Sequence, residues 1–154
     1  MRTFIVVTIF LVNLCGLQAE PRSPAASPPT KVVTDLYRAH KGKADPLQDP
    51  ASKKLLGAYF DKDLLALYLK DQAESKGEVG KLEFDPLYNA QDFEIKDFSV
   101  ALVTQKEDSA EVAASFKNIG KSEKIVFLLA NTPQGWRIAD IKYSGGETLK
   151  GILK

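Results

Sequence analysis

The chain is poor in the residues that most often carry reactive chemistry, because its 154 positions include one cysteine and one histidine. The cysteine, Cys15, lies in an N-terminal segment that we predict is removed, so the mature chain is expected to have none. That absence excludes disulfide bonds, thiol nucleophiles and cysteine-ligated metal ions. The histidine, His40, has no second imidazole to share a metal with. An Asp-x-Asp-x-Asn-Gly calcium loop is also missing, although a calcium site made of carboxylates alone stays open. We expect neither a metal nor a cofactor.

The chain also lacks a marked excess of positive or negative charge. The chain has 21 Lys and Arg against 20 Asp and Glu, and the two sets become equal once Arg2 is removed with the N-terminal segment. No large basic field is therefore present to hold nucleic acid or anionic lipid. The sequence contains neither a Gly-x-Ser-x-Gly nucleophile motif nor a glycine-rich phosphate loop. The composition thus excludes polyanion binding. The motifs do not identify a reaction.

The first 19 residues have the layout of a secretory signal peptide. A basic start at Arg2 precedes an apolar run, Thr3–Leu14, which is short for a helix that must cross a hydrocarbon core of about 30 Å. Leu17-Gln18-Ala19 follows and supplies a small residue for cleavage after Ala19. We predict a periplasmic or secreted protein with no transmembrane anchor after cleavage.

Two alternatives to this processing stay open. One is an uncleaved N-terminal anchor. The other is a lipoprotein attached through Cys15, although Leu14 stands where the lipidation pattern has a small residue.

Behind the signal we predict a tether and one domain. Residues 20–30 hold four prolines without apolar periodicity, which is typical of a flexible linker. Residues 31–154 are predicted to form a single domain that begins with three helices. The first is expected to be capped by Thr30 and to end at His40, the second to begin near Asp49 or Ser52, and the third, capped by Asp61, to span Lys62–Ser75 and to be well buried.

From Phe93 onward, apolar residues recur at every second position. Ala110, Val112, Ala114 and Phe116 alternate with other residues, as expected of a half-buried strand. Four such strands in a meander, followed by a short helix over Glu147–Leu153, predict an α+β fold. In this fold the helices pack on one face of a curved four-stranded antiparallel sheet and form an NTF2-like cone with an open mouth.

Two side chains are candidates for acid–base catalysis. His40 lies on the apolar face at the end of the first helix, where an imidazole also stabilises a helix C-terminus without any catalytic role. Asp140 shares one face of the last strand with Trp136 and Ile138. If that face lines the cone, Asp140 is a carboxylate in an apolar pocket, as a general base requires; if it faces solvent or pairs with a cation, it is structural.

The segment Phe84–Phe93 is the most distinctive stretch, since it combines aromatic rings and amides with two carboxylates between the helices and the sheet. Loops of this kind often carry function. Alternatively, its polar residues satisfy a turn while its rings close the end of the core. The candidate ligand-binding residues are Trp136, Tyr88, Asp85, Asp92 and Tyr37.

Three segments resemble a bacterial family of exported proteins known as domain of unknown function 3828. They are FDPLYNAQDFEI at Phe84–Ile95, GWRIADIKY at Gly135–Tyr143 and TLKGIL at Thr148–Leu153. With Tyr37 and the Tyr59–Asp61 junction, the similarity extends over residues 31–153. The resemblance implies an NTF2-like fold and the Gram-negative envelope, with occasional lipoproteins, but it implies no reaction, because members of that family have none assigned.

The leading functional hypothesis is a non-enzymatic envelope domain that binds a small apolar ligand or a protein partner. The alternative is a lyase or isomerase that uses Asp140 or His40 with Tyr88 or Tyr37 as its partner. We lean towards the first, because no catalytic set is assembled in the sequence. A homodimer through the outer face of the sheet also stays open.

Overall fold

The computed structural model describes residues 27–41, 47, 53–75 and 80–154. The predicted signal peptide, the alternative lipidation site Cys15, most of the predicted tether, and Asp49 and Ser52 lie outside these residues. In chain order, the elements are α1 (Pro29–His40), α2 (Lys53–Tyr59), α3 (Lys62–Ser75), β1 (Ile95–Gln105), β2 (Ser109–Asn118), β3 (Lys121–Thr132), β4 (Gly135–Lys142) and α4 (Leu149–Leu153). Within this part of the chain, no helix is long and apolar enough to span a membrane.

The four strands form one antiparallel sheet in the order β1-β2-β3-β4. Helix α1 contacts β1, β2 and β4, while α2, α3 and α4 gather at β4. All four helices therefore pack with the sheet, three before it in the chain and one after it. The predicted α+β fold class, with helices first and a four-stranded antiparallel meander second, is confirmed.

Helix α1 begins earlier than the sequence pattern predicts. Pro28 is its N-cap, with no side-chain hydrogen bond, and Pro29 opens the first turn. Proline is favoured there because the first N–H groups of a helix have no partner within it and the ring presets φ. The prediction that Thr30 caps the helix is therefore wrong, and α1 includes Pro29 and Thr30, the last two residues of the predicted tether.

Helix α3 begins as predicted but is less buried than predicted. The Asp61 carboxylate accepts a hydrogen bond from the Leu64 backbone N–H at 2.7 Å and so caps the helix. The buried side chains of α3 are those of Leu64, Tyr68 and Asp71, whereas Leu65, Leu67 and Leu69 are half-buried. The helix thus lies at the rim of the sheet with one face inward, and that face carries a carboxylate.

Strand β2 shows the predicted alternation. Ala110, Val112, Ala114 and Phe116 are all buried, while Lys117 on the other face is exposed. The strand continues into β3 through a two-residue turn at Ile119 and Gly120, where φ is +47° and +81°. Positive φ at both central residues matches the right-handed twist of a hairpin.

Strand β4 contains a bulge that the sequence pattern does not reveal. Leu128 pairs with Asp140 and Leu129 pairs with Ile138, so Ala139 is an extra residue between them. The bulge shifts the alternation by one position, and Ile141 and Tyr143 continue the buried face that Trp136 and Ile138 begin. The prediction that Asp140 shares the face of Trp136 is therefore wrong.

The space between α1 and the sheet is filled with side chains. Tyr37 on α1 packs against Phe98 of β1 and Phe127 of β3, with ring centroids 4.6 Å and 5.9 Å apart. Tyr37, Phe127 and Ile138 are at most 2% exposed. The centre of the fold is thus a packed core of side chains.

Candidate functional site

The segment between α3 and β1, described over residues 80–94, is held against the core by two tyrosine hydroxyls. Tyr37 on α1 donates to the Leu87 carbonyl at 2.6 Å, and Tyr143, just after β4, donates to the Pro86 carbonyl at 3.2 Å. Leu87 and Tyr88 are almost completely buried. Two separate elements therefore fix the path of this segment, although it contains no regular secondary structure of its own.

Asp85 organises a tight turn within the segment. Its backbone N–H donates to the Ala90 carbonyl at 3.0 Å, and its carbonyl accepts from the Asn89 N–H at 2.7 Å. Its side-chain Oδ1 accepts from the Leu87 N–H at 2.8 Å. Asn89 takes φ +52°, a conformation that asparagine tolerates better than most residues. One side of the Asp85 carboxylate thus has the structural role of satisfying a turn.

The other side of the same carboxylate contacts the only histidine of the chain. His40 Nε2 lies 2.6 Å from Asp85 Oδ2, and the two side chains are only 5% and 9% exposed. The contact is an ion pair when the imidazole is protonated and a hydrogen bond when it is neutral. Because His40 ends α1 and Asp85 begins the turn, the pair joins the helix to the segment.

Tyr88 brings the aromatic part of the predicted site to the same place. Its ring centroid lies 5.5 Å from that of His40, 5.7 Å from that of Tyr37 and 4.4 Å from that of Phe93. Four of the residues predicted as candidates, namely His40, Tyr37, Asp85 and Tyr88, therefore lie together.

A cavity of about 470 Å³ opens beside this cluster. One wall is the inward face of α3 with Tyr68, Asp71, Gln72 and Ser75, and the opposite wall is the segment itself. His40 and Asp85 lie at the junction of the two walls. The remaining lining residues are Leu47, Gly80, Leu82, Glu83, Phe84, Pro86, Gln91 and Phe93.

Asp71 is the one charged residue in the buried set of the described chain, with 8% of its surface exposed. Its Oδ1 accepts from the Lys81 N–H at 2.9 Å, which ties α3 to the start of the segment. No buried side-chain nitrogen or oxygen of the described residues lacks a hydrogen bond. Oδ2 has no hydrogen bond from these residues, and we conclude that it borders the open space of the cavity.

Burial keeps the tyrosines around the segment neutral. Desolvation raises the pKa of Tyr37 well above its ordinary value of 10.0, and nearby Tyr88 and Asp85 raise it further. Desolvation and the neighbouring Asp140 and Asp85 likewise raise the pKa of Tyr143. Each neutral hydroxyl can therefore donate to its backbone carbonyl at every physiological pH.

We expect stability to fall with pH above about 10 because of these two tyrosines. They ionise near pH 10 in the unfolded chain but only at higher pH in the folded one, so the unfolded state loses protons first. Each can contribute a fall of up to about 1.4 kcal/mol per pH unit. Urea unfolding between pH 9 and pH 11, about the range that brackets the unfolded pKa, measures the slope. The variant Tyr37→Phe/Tyr143→Phe is expected to show a shallower slope, and an unchanged slope would contradict the assignment.

Three predicted site residues lie away from the cavity. The Asp140 Oδ1 accepts from the N–H groups of Ile141 and Lys150, at 2.8 Å and 2.9 Å, and thereby anchors the start of α4. Trp136 is buried and lines a second cavity of about 530 Å³ together with Tyr59 and Arg137, near the start of α1. Asp92 is exposed beyond the turn. Asp140 and His40, the two alternative bases of the lyase or isomerase hypothesis, therefore share no cavity among the described residues.

Sequence reasoning missed the α3 wall of the cavity. Leu64, Tyr68 and Asp71 follow one another at spacings of four and three, so Asp71 occupies the buried face of the helix. A carboxylate at a core position of an amphipathic helix is unusual, and that signal could have identified it.

Comparison with known proteins finds no matching family model and no matching curated protein. Membership in the domain of unknown function 3828 family therefore stays a prediction. Among solved structures, a chain of the type VI effector–immunity complex Tae3–Tai3 from Ralstonia pickettii is similar at a TM-score of 0.47, with 14% identity over 75% of this chain and 92% of that one.

A phospholipid-binding protein from Ralstonia solanacearum, solved with a phospholipid, is similar at a TM-score of 0.36, with 13% identity over 79% of this chain and 68% of that one. At these identities, no role of either protein transfers to this chain.

Proposed function

We propose that this chain is an exported, non-enzymatic binding domain of the bacterial envelope, and that the cavity between α3 and the segment of residues 80–94 holds a small ligand. The observation that carries the proposal is the cavity itself, which places a buried carboxylate and aromatic rings around one open space. Ligand sites in proteins typically combine apolar walls with a few fixed polar groups in a volume of about 300 to 1,000 Å³.

The walls of the cavity are held in place before any ligand arrives. Tyr37 and Tyr143 fix the segment through hydroxyl-to-carbonyl hydrogen bonds, and Asp71 accepts a hydrogen bond from Lys81 near its start. A site whose walls are already ordered loses less conformational entropy on binding. The fold therefore favours recognition of a molecule of defined shape.

The polar groups at the cavity have structural roles that suit binding better than catalysis. Asp85 uses one oxygen for the Leu87 N–H and the other for His40, so the carboxylate is engaged on both sides. Asp140, the second predicted base, anchors α4 instead. The His40–Asp85 contact then stabilises the wall of the site.

Native mass spectrometry of the protein after gentle extraction from its expression host tests the proposal. We expect a small molecule to copurify with the wild-type chain at close to one per chain. Ser75→Trp places an indole in the cavity from α3, whereas Ala73→Trp places one on the exposed face of the same helix. The first variant should lose the molecule and the second should keep it; equal occupancy in the two variants, or an empty wild-type chain, would refute the proposal.

A second candidate, lyase or isomerase activity with His40 as general base, is favoured by one observation. A buried carboxylate next to an imidazole orients the ring as bases are oriented in many enzymes. Incubating the copurified molecule with wild-type protein and with His40→Gln separates the two functions. Recovery of an unchanged molecule from both supports binding, and conversion by the wild type alone supports catalysis.

A further inference from the structure

We propose that the ligand in this cavity carries a positively charged amine, an inference that rests on the cavity's proposed function as a ligand site. The described residues that line the cavity include three carboxylates, Asp71, Glu83 and Asp85, and no Lys or Arg. His40 is the one basic group among them, and it is already in contact with Asp85. The described part of the lining is therefore negative overall, and such a surface attracts cations.

The lysine whose backbone Asp71 binds has its side chain directed elsewhere. Lys81 gives its backbone N–H to Asp71, but its Nζ donates to the Leu153 carbonyl, at 3.1 Å, near the end of α4. No ion pair of the described residues involves Asp71 or Glu83. Removing a carboxylate from water without a cation is costly, so Asp71 is a place where a cationic ligand gains affinity.

Asp71 Oδ2 is well placed to receive that cation. Oδ1 is committed to the Lys81 N–H, which fixes the plane of the carboxylate, and Oδ2 borders the open space. Gly80 keeps this space clear, because a Cβ at that position would lie 2.5 Å from Oδ2. The glycine thus lets the main chain pass the carboxylate closely without covering it.

The aromatic side chains favour an organic cation over a bare ion. Phe84 and Phe93 line the cavity, and Phe93 is 46% exposed although it is a large apolar side chain. A ring face attracts an ammonium group, and the ring also contacts the hydrocarbon part of an amine. In the described part of the chain, no three His, Cys, Asp or Glu are grouped so that they could hold a metal ion.

The test is a titration of three molecules of the same shape and different charge: phenethylamine, phenethyl alcohol and phenylacetate. Shifts of the cavity resonances in NMR spectra of the isotope-labelled protein give each Kd. We expect phenethylamine to bind at least about tenfold more tightly than the alcohol, the difference that 1.4 kcal/mol produces. Phenylacetate should bind most weakly.

Substitutions test whether Asp71 causes the preference for phenethylamine over the alcohol. Asp71→Asn keeps an acceptor for the Lys81 N–H, so it should lower the affinity for phenethylamine to that for the alcohol and leave the alcohol unchanged. Asp63→Asn, an exposed position on the same helix, should change neither. If Asp71→Asn does not fold, Glu83→Gln is the second variant, with about a two- to threefold weakening expected for an exposed charge.

The possible outcomes distinguish failure of the amine inference from failure of the proposed ligand site. Equal Kd values for the amine and the alcohol, with shifts at the cavity, would overturn the amine inference and leave the ligand site in place. An amine preference that Asp71→Asn does not reduce would also overturn it. No shift at the cavity with any of the three molecules would count against the ligand site as well.

Discussion

Asp85→Ala is expected to lower the free energy of unfolding by about 3 to 5 kcal/mol, because two buried donors lose their acceptor and each costs about 1 to 3 kcal/mol when left unsatisfied. The substitution takes the contact at 2.6 Å away from His40 and the acceptor away from the Leu87 N–H. Both losses occur where α1 meets the segment of residues 80–94. Urea unfolding followed by circular dichroism gives the difference.

Asp92→Ala is the matched control for this prediction. Asp92 is another carboxylate of the same segment, and its side chain is exposed. Its removal should change stability by less than about 0.5 kcal/mol. A double-mutant cycle of Asp85→Ala with His40→Gln should show a coupling of about 1 to 3 kcal/mol. Additive effects would mean that the His40–Asp85 contact does not join the helix to the segment.

Phe127→Ala is expected to lower the free energy of unfolding by about 3 to 5 kcal/mol. Phe127 is fully buried on the inner face of β3 and packs edge-on against Tyr37, which in turn anchors Leu87. The cavity left by the lost ring would lie directly behind the anchor of the segment. We therefore also expect the cavity resonances to broaden in this variant.

Leu128→Ala provides the comparison on the opposite face of the same strand. Leu128 is half-buried and faces away from the helices, so its truncation should cost about 1 kcal/mol. Similar losses for the two variants would contradict the assignment of an inner and an outer face to β3.

The fold followed from the sequence wherever a local pattern determines the structure. The alternation at Ala110, Val112, Ala114 and Phe116 predicted a half-buried strand because side chains on a strand point to opposite faces in turn. Asp61 predicted the start of α3 because a carboxylate can accept the first free N–H groups of a helix. Both features depend on residues only a few positions apart.

The sequence pattern predicts the wrong structure where the backbone departs from the regular period. The bulge at Ala139 is set by pairing with β3, which is a tertiary contact, and it moved Asp140 off the face of Trp136. The pattern predicts Thr30 as the N-cap, although the two prolines before it preset the start of the helix. In each case, a residue that the pattern does not include determines the local structure.

The site was predictable in part. His40, Tyr37, Asp85 and Tyr88 were each singled out, but their meeting depends on how α1 packs against a segment distant in the chain, which no local period encodes. Asp71 was missed because the five large apolar residues of α3 suggested burial on several faces. Its own position on the inward face was the more informative signal.

The crystal structure of the protein soaked with phenethylamine tests the central claim most directly, because it locates both the site and the charge. We predict density for the ring against Phe84 or Phe93 and for the ammonium group within hydrogen-bond distance of Asp71 Oδ2, about 2.7 to 3.2 Å. Density confined to the cavity beside Trp136 and Arg137, or an empty cavity beside His40 and Asp85 at saturating concentration, would contradict the account.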